Sequence, residues 1–200
     1  MRMNHYFFKK ALFEMGFRSL GEHVLISRTC QIYSPEKISI GDNVLIDDFT
    51  IMSGNIEVGS HVHISSNCEL YTGENSSILI GDYAGIASHS SVYAQTDDYV
   101  GPYMSNPTIP AQFRNLIEQD IVLDKHVVIG THSVVLPGVH LGEGCSFGAN
   151  SVINKSTPPG GVYIGAPIKW IRAREIDGIQ RKEWELVEEK QRRTSKMKEK

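Results

Sequence analysis

LDKHVVIGTHSVVLPGVHLGEGCSFGANSV, residues 123–152, brings back an aliphatic or phenylalanine side chain at every sixth position: Leu123, Ile129, Val135, Leu141 and Phe147. A helix turning once in 3.6 residues cannot place those five side chains on one face. Upstream the same frame reads IGDNVL and IDDFTI from Ile40, VGSHVH and ISSNCE from Val58, and IGDYAG and IASHSS from Ile80. A small residue, often glycine, follows the aliphatic, and Val, Ser, Thr, Ala or Cys stands four places after it. Short strands meeting at tight corners require that pattern, so the repeat predicts an all-β coil.

Over roughly residues 26–172 these repeats resemble those of the hexapeptide-repeat acyltransferases. The resemblance implies a left-handed parallel β-helix of triangular cross-section, with three hexapeptides to a coil and coils stacked at about the 4.8 Å strand spacing. The expected layout is a helical cap over residues 1–23, the β-helix over 24–172 with an active-site loop at 95–120, and a charged helical tail over 173–200. The N-terminal segment reads as a short amphipathic helix ended near Gly16. Cap and tail are the expected covers for the open strand edges at the two ends of the prism.

The frame also assigns the cysteines and histidines. Cys30, Cys68 and Cys145 stand four places after Ile26, Ile64 and Leu141 and are expected as small core residues. Three scattered thiols suit a reducing compartment. His61, His89, His126 and His132 stand three places after an aliphatic, at a corner, and are expected to be mainly solvated. His61 and His63 form an H-x-H pair without a matching third ligand, so no metal is expected.

GGVYIGAPIKWIRAR, residues 160–174, resembles the G-x-P-x-K segment that closes the β-helix in this family. Its members work as homotrimers and bind an acyl-coenzyme A along the seam between prisms, so the resemblance implies acetyl-CoA as acyl donor. Gly165 and Pro167 would shape a turn whose backbone approaches a ligand closely. Lys169 and Arg172 suit the phosphates of that ligand. Gly130, Thr131, Gly148, Ala149 and Ser151 match small positions where a pantetheine arm lies against the backbone, and Lys155 is assigned to the same side.

After Val92 the repeat stops, to resume near Ile121. The excursion QTDDYVGPYMSNPTIPAQFRNLIEQD, residues 95–120, is rich in Gly, Pro and aromatic residues, and long excursions in compact repeat folds are usually functional. Galactoside and maltose acetyltransferases, which the chain resembles here, carry their general-base histidine directly after the segment equivalent to YAQT. This chain has Asp97 there. An alcohol attacking a thioester benefits from a near-neutral base by about 10² to 10⁴ in rate, and a carboxylate with a pKa of about 3.9 is weak in that role. A neutral amine carries its own lone pair and needs chiefly orientation, about 3 to 3.5 Å from the thioester carbon. Asp97 therefore points to an amine acceptor.

A subgroup resemblance agrees. TDDYVGPYMSNPTIP, residues 96–110, is similar to the D-D-[YF]-x-G and N/G-P-T-x-P segments of N-acyltransferases acting on dTDP-4-amino-4,6-dideoxyglucose and related nucleotide sugars. The early segments GFRSLGEHVLIS and ISIGDNVLIDDFTIMSG resemble theirs too. The resemblance implies Asp97 as catalytic residue, with Asp98, Tyr99, Asn106 and Pro110 on the substrate side, and a product destined for O-antigen or other surface polysaccharide. Three alternatives stay open at this point. One is a sugar or polysaccharide O-acetyltransferase with His89 as base; another is a non-catalytic trimeric scaffold; the third makes Asp97 and Asp98 ordinary turn residues.

Composition narrows the setting. Two hundred residues, 40% apolar and 22% charged, suffice for one main core. A net charge of −3 and a pI near 6.2 argue against nucleic acid as the main partner. No membrane-spanning or signal segment is evident, and a cytoplasmic location is the default expectation.

Overall fold

The computed structural model describes residues 5–198. Its body is a left-handed parallel β-helix with three flat faces. The first face stacks Ser19–Leu20, Ile38–Ile40, Ile56–Val58, Ile78–Ile80, Ile121–Leu123 and His140–Leu141 in parallel. The second runs from Leu25–Ile26 through Gly85–Ile86 to Ser146–Phe147 and Gly161–Ile164. The third runs from Gln31–Tyr33 through Ser91–Tyr93 to Val152–Ile153.

The six-residue period explains this packing residue by residue. Register pairs Ile40 with Val58, Val58 with Ile80, Ile80 with Leu123 and Leu123 with Leu141, so each aliphatic lands on the one a coil below. All five are buried, and so are Val44, Thr50, Val62, Cys68, Ala84, Ser90, Val127, Ser133, Val139, Cys145 and Ser151, four places after an aliphatic. Cys30, in the same frame, is only half-buried. The glycine that follows an aliphatic is required by close approach: a Cβ on Gly81 would lie 2.7 Å from the Lys125 backbone nitrogen.

Three places after most of the aliphatics the backbone turns through the left-handed region: His23, Asn43, Phe49, His61, Asn67, Tyr83, His89, His126, His132 and Asn150 all have φ between 56° and 62°. Asn and His tolerate that conformation better than most residues, which gives the corner histidines a structural reason to recur. The expectation that these histidines are mainly solvated fails at His126, which is 7% exposed. It sits in a stack with Tyr83 and His61, with ring centroids 5.0 Å apart at each step.

Helix α1 (Lys9–Glu14) places Leu12, 1% exposed, over the open first coil. The prism begins before residue 24, since Ser19–Leu20 already pairs with Ser39 and Ile40. Helix α2 (Ile176–Lys198) does not cover the far end, as the sequence suggested. It runs back along the edge between the first and second faces, through Gln180 to Glu143, Glu183 to His126, and Lys190 to His61. The far end is closed by strand Lys169–Ala173, folded back antiparallel on Gly161–Ile164, with Tyr163 and Ile168 buried beneath it.

Candidate active site

The chain leaves the third face after Ala94, whose carbonyl accepts the Gln119 N–H at 3.0 Å when the chain returns. Between these points Gln95–Asp97 pairs antiparallel with Leu116–Glu118, so the excursion is a two-stranded arm with a closed neck. At the end of that neck Asp97 Oδ1 accepts from Arg114 Nη2 at 2.8 Å and Nε at 3.2 Å, and Oδ2 accepts from the Asn106 N–H at 3.1 Å. The Arg114 hydrogen bonds, joined by that of Asn106, hold the Asp97 carboxyl below its ordinary 3.8. Asp97 is therefore an anion throughout the neutral range.

Asp98 is occupied within the arm. Its Oδ1 accepts from the Val100 and Gly101 N–H groups at 3.0 and 2.8 Å, and its Oδ2 from Asn115 Nδ2 at 3.0 Å. These bonds, the Gly101 amide first, lower its pKa. Asp98 is thus a turn former, and no oxygen of it is without a protein donor. Asn106 is likewise used locally, its Oδ1 accepting from the Thr108 N–H at 3.0 Å and hydroxyl at 2.6 Å. Tyr99 stands 77% exposed, and Pro110 starts the short 3₁₀ turn Ala111–Phe113.

A second constellation lines the edge between the second and third faces. Gly130, Thr131, Gly148 and Ala149 follow the second-face strands there, with Gly165 and Pro167 beyond them at the far end. Thr131 Oγ1 donates to the Ser88 carbonyl at 2.6 Å. Ser151 departs from expectation: it is fully buried and its hydroxyl donates inward to the Gly148 carbonyl at 2.6 Å, so it offers no side chain to a ligand. Lys155 is exposed but follows the third face, at the opposite edge from this row.

Lys169 and Arg172 are three apart, a spacing that puts two strand residues on opposite sides. A register irregularity between Val162 and Tyr163 corrects this: Lys169 faces Ile164, Trp170 faces buried Tyr163, and Arg172 faces Val162. Directly opposed residues share a side, so the bulge returns both cations to the outer side of the second face. His89 stands exposed on the edge that carries the glycines, stacked on His132 at 4.7 Å. Within one chain, His89 and Asp97 therefore lie at opposite edges of the third face. His61 and His63 diverge, the first stacked on Tyr83 and the second 2.8 Å from Asp47. Among the described residues no three His, Cys, Asp or Glu side chains are grouped to hold a metal ion.

Sequence reasoning missed Arg114 and Asn115, which answer Asp97 and Asp98 across the neck. The only available signal was one cation in an arm that carries four carboxylates, at Asp97, Asp98, Glu118 and Asp120.

The pattern of the bacterial transferase hexapeptide (six repeats) family matches residues 37–72 and 120–155. The dTDP-4-amino-4,6-dideoxy-D-glucose acyltransferase of Escherichia coli is 40% identical over 164 residues, covering 80% of this chain and 84% of its own length. The N-acyltransferase AntD of Bacillus cereus is similar in structure. A serine-to-cysteine variant of it, in complex with dTDP-4-amino-4,6-dideoxyglucose and coenzyme A, gives a TM-score of 0.89 at 41% identity over 94% of this chain and 100% of that one. AntD with dTDP and 3-hydroxybutyryl-CoA gives 0.88 at 40% identity over the same shares.

Proposed function

Because the chain belongs to the hexapeptide-repeat acyltransferase family, we propose that it moves an acyl group from coenzyme A to the amine of a dTDP-linked 4-amino-4,6-dideoxy sugar. The observation that carries the amine is the state of Asp97, an anionic carboxylate held by Arg114 and the Asn106 amide. A carboxylate has about four lone-pair positions, and these donors fill three. The fourth, on Oδ2, accepts one amine N–H and aims the nitrogen lone pair at the thioester carbon.

As the C–N bond forms, the carbonyl π electrons move to oxygen, and backbone N–H groups along the seam stabilise that charge. The C–S bond then breaks, coenzyme A leaves as thiolate, and the proton from nitrogen passes by way of Asp97 to the thiolate or solvent. The attacked nitrogen becomes far more acidic once bonded to carbon, so a weak base suffices for that step. An alcohol would need its proton removed during attack, a task for which a lowered pKa makes Asp97 worse.

The assembly in this reading is a homotrimer. With Asp97 at one edge of the third face and the glycine row at the other, a closed ring sets the arm of one copy beside the glycine edge of the next. Gly130, Thr131, Gly148 and Ala149 would then lie along the donor, and Lys169 and Arg172 near its phosphates. The enzyme works in the cytoplasm, where nucleotide sugars and coenzyme A meet, and its product feeds O-antigen or other surface polysaccharide. No helix among the described residues is long and apolar enough to cross a membrane.

Acetyl-CoA is the first donor to test, and 3-hydroxybutyryl-CoA, which AntD binds, the second. The test is mass spectrometry after incubation with each donor and a panel of dTDP sugars carrying either an amine or a hydroxyl at C4. The proposal expects a mass gain on the amino sugars alone. Acylation of the hydroxy sugars at equal rate would reject it.

A further inference from the structure

Arg114 approaches Asp97 side-on: Nη2 and Nε both point at Oδ1, at 2.8 and 3.2 Å, and both side chains are 15% exposed. The pair closes the neck of the arm where the Asp97–Leu116 strand register ends, one step from the bond between the Asp98 N–H and the Asn115 carbonyl at 2.9 Å. The guanidinium is planar and presents its N–H groups in a fixed fork. Two bonds to one oxygen therefore fix the place of that oxygen, and the tilt of the carboxylate follows from what holds the other. Asn106 then holds the second oxygen from the far side of the arm.

We infer that Arg114 is a positioning residue for acyl transfer, fixing the Asp97 carboxylate so that its open Oδ2 lone pair meets the acceptor amine. The inference rests on the role given to Asp97 above. Arg114 acts through Asp97, to which two of its five N–H groups are committed. A catalytic group displaced by about 1 Å can cost up to 10²-fold in rate. A lysine would restore the charge but not the fork.

The experiment is a double-mutant cycle with Arg114→Gln, Arg114→Lys, Asp97→Asn and the Arg114→Gln, Asp97→Asn pair, read as kcat and KM for the dTDP-amino sugar. Arg114→Gln should lower kcat by roughly 10- to 100-fold and change KM by less than about threefold, since ground-state binding is spared. Arg114→Lys should recover only part of the loss. Added to Asp97→Asn, Arg114→Gln should cost less than about a further threefold, because residues that act as one unit are not additive.

Full multiplicative losses in the double mutant, or a loss confined to KM, would overturn the inference and make Arg114 a substrate-binding cation. A slow Asp97→Asn beside an unimpaired Arg114→Gln would also overturn it, leaving Asp97 in place. Near-normal turnover in Asp97→Asn would instead reject the role of Asp97 itself. If Arg114→Gln does not fold, the cycle is run with Arg114→Lys, which keeps the ion pair.

Discussion

His126 hydrogen-bonds through Nε2 to the Glu183 carboxylate at 2.7 Å, joining a corner of the prism to α2 across 57 residues of chain. Lys125 reaches the other oxygen of the same carboxylate. Burial pushes the Glu183 carboxyl up, but the hydrogen bonds from Lys125 and His126 and their charges outweigh it and hold the group below its ordinary 4.5. The same contact raises the Lys125 pKa above 10.5.

The stability this tether contributes depends on pH at both ends. A depressed carboxylate contributes fully above its unfolded pKa and loses the contribution as pH falls through the folded one. A raised lysine contributes fully below its unfolded pKa and loses it as pH rises through the folded one. Protection factors of the α2 amides, with the intrinsic pH dependence of exchange divided out, should therefore be highest between about pH 5 and 10 and fall relative to those of the prism on acidification below the ordinary carboxylate range. Glu183→Ala at pH 7 should cost about 1 to 3 kcal/mol in denaturant unfolding, because it leaves buried His126 without its partner. Protection factors in α2 that keep the same ratio to those of the prism at pH 7 and pH 3.5 would contradict the tether.

Gly144 should accept a side chain only at a cost. Its φ is +69°, and a Cβ there would sit 1.9 Å from Ile176 Cδ1 at the start of α2. Gly144→Ala is expected to lose about 1 to 2 kcal/mol from the left-handed backbone, since the Ile176 methyl end can turn aside. Gly85→Ala, whose Cβ meets nothing within 4 Å, is the control; thermal unfolding should find it within about 0.5 kcal/mol of wild type.

Lys169 and Arg172 are expected to act together on the donor, since the bulge opposite Val162 and Tyr163 sets them on one side. The Lys169→Ala, Arg172→Ala pair should weaken acetyl-CoA binding by roughly tenfold or more at low salt, about 1.4 kcal/mol, with the difference shrinking as salt screens it. Lys155→Ala tests the opposite edge of the third face, which the proposed trimer sets beside the glycine row of the next copy, and should weaken binding only when the protein is assembled. Calorimetric titration of the three proteins checks both statements.

The prism was legible in the sequence because its physics is local. A period of six fixes which side chains turn inward at Ile40, Val58 and Ile80, and the corner positions betray themselves through Asn and His. What escaped depends on long-range placement. Nothing in the α2 sequence says which edge it will follow, so the burial of His126 beneath it was unreadable. The bulge that aligns Lys169 with Arg172 is a register event without a residue signature. Asp97 stood out by what replaced a histidine, while Arg114 became visible only once the arm closed, 17 residues on. Ser151 satisfied the small-residue pattern for the wrong reason, because the core needs it as much as a ligand would.

The central claim is that Asp97 serves an amine acceptor. Its most direct test is the steady-state turnover of Asp97→Asn, Asp97→Ala and His89→Asn with acetyl-CoA and dTDP-4-amino-4,6-dideoxyglucose. Asparagine at 89 keeps the left-handed corner that His89 occupies at φ 62°. Both Asp97 variants should fall by roughly 10² or more, within the usual span for proton-handling groups, with coenzyme A binding little changed and His89→Asn losing far less. Near-wild-type turnover in Asp97→Asn, or a collapse confined to His89→Asn, would contradict the account.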